Sequence, residues 1–118
     1  LAGRASSGTI TNVHITGTSS VTCRQNESCG GMIGYFESTT ATNVSSTATV
    51  NGLNKTGGLV GYIAGGSITS ALVTGTVNCA GDDCGGLVGY VNPGSITDSR
   101  AEGDVIATSG HGSGGLIG

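Results

Sequence analysis

The stretch that decides the fold is Gly-Gly-Leu-Val-Gly-Tyr, which occupies residues 57–62 and again residues 85–90. It occurs once more as Gly-Gly-Met-Ile-Gly-Tyr at 30–35 and, without the tyrosine, as Gly-Gly-Leu-Ile-Gly at 114–118. Successive copies start 27, 28 and 29 residues apart. Residues 1–4, Leu-Ala-Gly-Arg, look like the same element without its two leading glycines. Near-constant spacing of this kind is typical of repeat proteins, in which each repeat is one structural unit.

Two further elements follow each copy in a fixed order. The first has the pattern Ser-Ile-Thr-Ser and lies at 9–12, 40–43, 67–70 and 95–98, with alanine replacing isoleucine in the second copy. The second has the pattern Val-Thr-Gly-Thr-Val and lies at 15–18, 46–50, 73–77 and 101–105. A variable polar loop then leads to the next Gly-Gly pair, so nearly the whole chain belongs to the repeat.

These elements together resemble the GLUG repeat family, named for its Gly-Leu-(apolar)-Gly core. The resemblance rests on three full copies and two partial ones at 1–4, 30–35, 57–62, 85–90 and 114–118. It implies repeats of large surface proteins, including adhesins and the non-catalytic regions of certain immunoglobulin-A peptidases. It implies no enzymatic activity for the repeats themselves.

The alternation of apolar or Gly residues with Thr in 73–77 has the period of a strand, with Val73, Gly75 and Val77 facing inward. We therefore predict an all-β fold, a parallel β-solenoid (β-helix) of about four coils, with roughly 28 residues and three short strands per coil. We expect the glycines at the corners of each coil to allow positive φ angles, and small residues such as Gly75 and Ala48 to let the walls approach each other. A β-propeller or a sandwich of hairpins is the alternative, but propeller blades need about 40 residues, and the Asn-Gly hairpin signal occurs only at Asn51-Gly52.

The chain is predicted to be a single repeat domain over 1–118. The repeats span approximately 1–29, 30–56, 57–84 and 85–113, with a truncated repeat start at 114–118. Both ends of the chain fall inside a repeat, and we expect copies or further repeats to stack end to end.

Composition supports a thin, repetitive interior, since the chain has 24 Gly, one Phe, three Tyr and no Trp. Charged residues make up 9% and the formal net charge is −3, which argues against a nucleic-acid partner. No run of about 18 apolar residues is present, so we expect no membrane span. Polarity comes from Ser, Thr and Asn, which is typical of secreted proteins.

The four cysteines fall in two polar loops, Cys23 with Cys29 and Cys79 with Cys84, each just before a Gly-Gly pair. The two loops belong to coils two apart, a separation of about 9.6 Å, whereas a disulfide needs Cα atoms within about 7 Å. We therefore predict the disulfides Cys23–Cys29 and Cys79–Cys84, which imply an oxidising compartment. A four-cysteine zinc site is the alternative, but one loop is wider than the usual ligand spacing.

Three triplets match the N-glycosylation pattern, at Asn26, Asn43 and Asn54. We expect Asn26 and Asn54 to lie in exposed loops and Asn43 to lie near the start of a strand. Covalent glycans at these sites would require a glycosylating host.

No catalytic constellation is found in the sequence, and we expect neither an enzyme nor a cofactor nor a metal. His14 and His111 lie at opposite ends of the chain, and Asp82-Asp83 supplies too few oxygens for Ca²⁺. Asp98, Glu102 and Asp104 are interpreted as a solvated face. Neither Gly-x-Ser-x-Gly nor His-Glu-x-x-His occurs.

Outward threonines form a pattern of their own in the Val-Thr-Gly-Thr-Val elements. The pairs expected to stack as two columns on a flat wall are Thr16/Thr18, Thr47/Thr49 and Thr74/Thr76. Such Thr-x-Thr columns resemble the ice-binding surfaces of several antifreeze proteins. Glu102 and Asp104 replace the pair in the next coil, which counts against ice binding, and Thr is in any case common on exposed strands.

Three functions therefore follow from the sequence. The first is a structural, non-catalytic repeat segment of a secreted or cell-surface fibre or adhesin stalk. The second is an extracellular binding module whose variable loops recognise glycans or a surface receptor. The third is an ice-binding protein that uses the Thr-x-Thr columns.

Overall fold

All regular structure in the computed structural model, which describes residues 2–25, 27–108 and 110–118, is β-strand. The strands are β1 (Ala2–Ile15), β2 (Ser20–Thr22), β3 (Ser28–Gly30), β4 (Ile33–Ser46), β5 (Thr49–Gly52), β6 (Asn54–Gly57), β7 (Val60–Val73), β8 (Val77–Cys79), β9 (Cys84–Gly85), β10 (Val88–Val91), β11 (Ser95–Thr97), β12 (Arg100–Ala101), β13 (Val105–Ala107) and β14 (Ser113–Gly114).

The strands form three parallel sheets, and every coil contributes to each of them. Sheet 1 has the order β1-β4-β7-β10, and β11 and β12 also pair with β7. Sheet 2 has the order β13-β8-β5-β2, and sheet 3 has the order β14-β9-β6-β3. Neighbours within a sheet are one repeat apart in sequence, so the chain winds upward coil by coil. The predicted all-β parallel solenoid of about four coils is confirmed.

Sheet 1 differs from the prediction because its strands are not short. β1, β4 and β7 are each 14 residues long. Each strand turns corners at residues with positive φ, which in β4 are Ser38 (45°) and Asn43 (53°). Asn tolerates this left-handed region better than most residues. The Gly-Leu-Val-Gly-Tyr and Ser-Ile-Thr-Ser elements are therefore parts of one bent strand rather than two separate strands.

The Val-Thr-Gly-Thr-Val element is a corner, and its prediction as a strand is wrong. β7 ends at Val73 and β8 begins at Val77. Val73, Gly75 and Val77 are buried while Thr74 is exposed, so the predicted inward and outward alternation is correct. A Cβ on Gly75 would lie 1.9 Å from the carbonyl oxygen of Ala48 in the preceding coil. The alternation here reflects close packing of successive corners.

In the last coil the strand of sheet 1 is divided into β10, β11 and β12. Pro93 lies between β10 and β11, and proline has no N–H to donate to a ladder. The register of the sheet survives the interruption, since Val91 pairs with Ile63 and Ser95 pairs with Ser67.

The core consists of columns of apolar side chains that run through the coils. One column is formed by Val21, Val50, Val77 and Val105, which pair in succession in sheet 2. The two middle members are buried, while Val21 and Val105 in the end coils are half-buried. The largest fully buried side chains are Phe36, Met32, Ile33, Leu59, Ile63, Ile68 and Leu87.

The glycines of the Gly-Gly-x-x-Gly element are required by close backbone approach in three directions. A Cβ on Gly57 would lie 2.1 Å from the Val60 oxygen within its own turn. On Gly58 it would lie 2.3 Å from the Gly86 oxygen of the following coil, and on Gly61 it would lie 2.4 Å from the Cys29 nitrogen. None of Gly57, Gly58 and Gly61 has a positive φ, whereas Gly17, Gly65 and Gly66 do, so the positive φ expected of some glycines occurs outside this element.

Replacing the second glycine of the pair tests this contact. Gly58→Ala should lower the free energy of unfolding by about 1–3 kcal/mol, the usual cost of forcing extra atoms into a packed interior. Gly115→Ala is the matched control, because Gly115 occupies the same place in the last copy and a Cβ there meets nothing within 4 Å. Urea unfolding measures both variants. Equal midpoints for the two would contradict the steric explanation.

Candidate functional surfaces

Two disulfides close the loops between sheet 2 and sheet 3. Cys23 is joined to Cys29 and Cys79 is joined to Cys84, each with Cα atoms 6.0 Å apart. This is the pairing that the loop spacing predicts. Cys29, Cys79 and Cys84 are buried, so both bridges extend the core into the loops.

The second coil, which lies between the two bridged coils, has Thr56 and Gly52 rather than cysteines at the matching positions. Cys29 pairs with Thr56 and Thr56 pairs with Cys84, so one half of each bridge lies in a single column. Gly52 pairs with Cys79 in the other column. A Cβ on Gly52 would lie 2.2 Å from the Thr56 hydroxyl oxygen, so the second coil closes the same corner by contact rather than by a covalent bond.

An amide row runs along the outer face of sheet 2 beside these loops. The Asn78 amide donates to the Asn51 side-chain oxygen at 2.9 Å, and the Asn51 amide donates to the Thr22 hydroxyl at 3.4 Å. Ile106, 49% exposed, pairs with Asn78 and continues the row. These residues line a groove of about 260 Å³ together with Cys23, Gly52, Cys79, Ala80 and Thr108. The sequence reasoning missed this groove, because its lining residues come two or three at a time from four different repeats.

A tyrosine column with two cations lies on the outer face of sheet 1. The ring centroids of Tyr35 and Tyr62 are 5.0 Å apart, and those of Tyr62 and Tyr90 are 5.3 Å apart. The Arg4 guanidinium lies 5.1 Å from the Tyr35 centroid, and the Lys55 ammonium lies 5.0 Å from the Tyr62 centroid. Interplanar angles of 76° and 50° show that the rings form no flat platform. Cation–π contacts at such exposed sites contribute about 0.5–1 kcal/mol each.

An exposed ion pair links the first two coils next to this column. The Arg4 guanidinium donates to Glu37 at 2.5 Å, and the Ser6 hydroxyl donates to the same carboxylate at 3.1 Å. The pKa of Glu37 is lowered below its ordinary value. The largest cause is the hydrogen bond from Arg4, followed by the hydrogen bond from Ser6 and then by the positive charge of Arg4.

The glycosylation triplets fall on sites of different accessibility. Asn26 lies outside the described residues. Asn54 is the half-buried first residue of β6, and its side-chain oxygen accepts the Asp82 N–H at 2.8 Å, so the expected exposed loop is wrong. Asn43 is exposed at a corner within β4 rather than near its start, and its amide donates to the Asn12 side-chain oxygen at 2.6 Å. The structure thus makes Asn43 the more accessible of the two.

The predicted Thr-x-Thr columns do not form a flat wall. They lie at the corner between sheet 1 and sheet 2, where the Thr47 hydroxyl donates to the carbonyl oxygens of Ile15 and Gly17, at 3.2 and 2.9 Å. Ser20, rather than Thr18, pairs with Thr49. The first coil is longer at this corner, so its second threonine falls out of the column.

The other polar candidates are separate from one another. The His14 ring contacts the Ser45 hydroxyl at 2.7 Å, while the His111 backbone N–H donates to the Asp82 carboxylate at 2.7 Å. Glu102 forms an exposed ion pair with Arg100 at 2.9 Å. Within 2–25, 27–108 and 110–118, no three His, Cys, Asp or Glu side chains gather as metal ligands would. No helix suited to crossing a bilayer occurs in the same residues.

Repeated coils, stacked parallel sheets and a columnar core define a β-solenoid repeat protein. The family model described as "The GLUG motif" matches residues 84–106, which run from β9 into β13. This confirms the resemblance to the GLUG repeat family for the last full coil. The preceding coils pair with this coil strand for strand. Searches of curated proteins and of solved structures found no match.

Removing one bridge tests the role of the disulfide loops. The double variant Cys79→Ala with Cys84→Ala should lose about 2 kcal/mol of stability, the entropy expected for so short a loop. Cys23→Ala with Cys29→Ala should lose less, since an end coil frays at little cost. Urea unfolding under oxidising conditions measures both pairs. Unchanged stability in both double variants would show that the bridges constrain nothing.

Proposed function

We propose that this chain is a structural, non-catalytic repeat segment of a secreted or cell-surface fibre or adhesin stalk, extended by end-to-end stacking of coils. The observation that carries the proposal is the pair of open sheet edges. β1 is the edge strand of sheet 1 at one end of the stack, and β10, β11 and β12 form its edge at the other, where Val88 is also bridged to Ile117 of the last turn. Open parallel edges pair with further strands unless they are blocked.

The side-chain columns support continuation across these edges. Following the register through the coils, Ile96 lies in the column of Ile10, and Ala101 lies in the column of Ile15. A further coil set in this register would thus place apolar residues against apolar residues. Leu116 and Ile117 on the last turn are 37% and 40% exposed and would be covered by such a coil.

Charge does not oppose this contact. Asp98 follows Thr97, whose column contains Thr11, so its neighbour in a stacked coil would be Asn12. Arg100 lies in the column of His14. Asp98 and Arg100 would therefore each meet a polar residue and no charge of the same fixed sign.

An extracellular setting fits the two disulfides, since such bonds form and persist in oxidising compartments. Covalent glycans on the hydroxyl- and amide-rich surface are part of the same proposal, with Asn43 as the accessible attachment site.

A tandem fusion tests the stacking. Joining Gly118 directly to Arg4 of a second copy keeps Leu116-Ile117-Gly118 in the place of residues 1–3. The fused chain should unfold in one transition at a higher urea midpoint than the single chain, because each new coil interface adds stability.

The matched control is the same direct fusion with Leu116→Asp and Ile117→Asp in the first copy, which places two carboxylates at the new coil interface, at positions that are partly exposed in the single chain. It should not exceed the midpoint of the single chain. Two independent transitions in the direct fusion, at the single-chain midpoint, would contradict end-to-end stacking.

The groove on sheet 2 supports a second candidate, a binding module for glycans. The amide row of Asn51 and Asn78 offers donors and acceptors, and Ile106 offers an apolar surface for the face of a sugar ring. The groove lies beside both disulfide loops, which differ most between repeats.

A glycan array tests this candidate directly. We expect wild-type protein to bind defined glycans, Ile106→Asp to lose that binding and Thr74→Asp, an exposed corner substitution, to retain it. No signal from the wild-type protein would remove the glycan-binding candidate and leave the structural one intact.

A further inference from the structure

Eight hydroxyl side chains form a two-column array on the middle part of sheet 1, away from the corner threonines. Four rows contribute to it: Thr9/Thr11, Thr40/Thr42, Ser67/Thr69 and Ser95/Thr97. Each row pairs with the next without a register shift. All eight residues are exposed or half-exposed. We call this surface the hydroxyl face.

The residues between the columns hold the hydroxyl face in place. Ala41 and Ile68 in the middle rows are buried, and Ile10 and Ile96 in the end rows pack against the same core. Alternation along a strand then directs the flanking hydroxyl side chains outward. Because the inward residues are locked in the core, the outward side chains stand on a rigid base.

The spacing of the hydroxyl face follows from strand geometry. Successive rows are about 4.8 Å apart along the stack, and the two columns are about 6.7 Å apart along the strands. The face carries no charged side chain and no large apolar one, since its outward residues are all Ser or Thr. Such a surface lacks the charge to select an ion and the aromatic ring to select a sugar. It offers instead a regular two-dimensional lattice of hydroxyl and methyl groups.

We propose that the hydroxyl face binds ice. The rows and columns offer hydroxyl groups at regular intervals in two directions, so water bound over one row is held in a fixed position relative to water bound over the next. Each hydroxyl donates one hydrogen bond to water and accepts others. The threonine methyl groups between them restrict the orientation of the water that they cannot bond. This proposal is independent of the fibre or stalk function, which uses the ends of the stack rather than its side.

Ice-growth measurements on the purified chain test the proposal. The wild-type protein should shape ice crystals and arrest their growth over a measurable thermal hysteresis gap. Thr69→Lys, in a central row, should abolish both effects because it inserts a long charged side chain into the lattice. Thr74→Lys is the matched control, the same substitution at an exposed corner, and should leave both effects unchanged.

A gain-of-function variant separates ice binding from a general effect of surface charge. Ser67→Thr with Ser95→Thr completes the methyl pattern of the first column, since the second column is threonine throughout, and should widen the hysteresis gap. Circular dichroism melting curves show that each variant is folded. Unshaped ice crystals with the wild-type protein, or equal hysteresis for Thr69→Lys and Thr74→Lys, would overturn the assignment.

Discussion

Backbone contact between consecutive coils at the second glycine of each Gly-Gly pair is the constraint on which the rest of the structure depends. A Cβ on Gly31 would lie only 2.2 Å from the carbonyl oxygen of Gly58 in the next coil. A Cβ on Gly86 would lie at the same distance from the carbonyl oxygen of Gly115. Parallel strands require neighbours about 4.8 Å apart. Only a residue without a side chain lets the chain turn at that distance, so the motif fixes the rise of each coil and thereby the register of all three sheets.

This constraint separates the inside of the solenoid from its outside. Inward positions repeat with little freedom, as the valine column of sheet 2 shows from Val21 to Val105. Outward positions at the same register vary from face to face. Tyrosines and cations lie on one part of sheet 1, hydroxyls on another, and amides on sheet 2. A regular scaffold therefore carries several chemically distinct stripes along its length, each only one or two residues per coil wide.

The fold could be predicted from the sequence because the regular spacing of the repeats indicates which residues stack on one another. A single copy of the repeat would not contain that information. The Gly-Gly interval predicted the coil, and the short cysteine spacings within loops predicted both bridges. The corners could not be predicted in the same way, since Ser38, Asn43 and Asp83 adopt positive φ without being glycine. The threonines were misplaced for a related reason. Alternation alone does not distinguish the corner at 73–77 from the strand at 67–69, and only the paired register shows which one is flat.

The longer corner of the first coil has a consequence for how such proteins diversify. Residues 16–19 there replace the two residues 47–48, yet Ile15 still pairs with Ser46 and Ser20 still pairs with Thr49. The extra length projects outward while the ladders on either side remain in phase. Insertions at this corner are thus mechanically decoupled from the stack. During evolution this segment can be lengthened and its sequence changed in any one repeat while the neighbouring repeats keep their registers. For the same reason a foreign peptide can be inserted there by design.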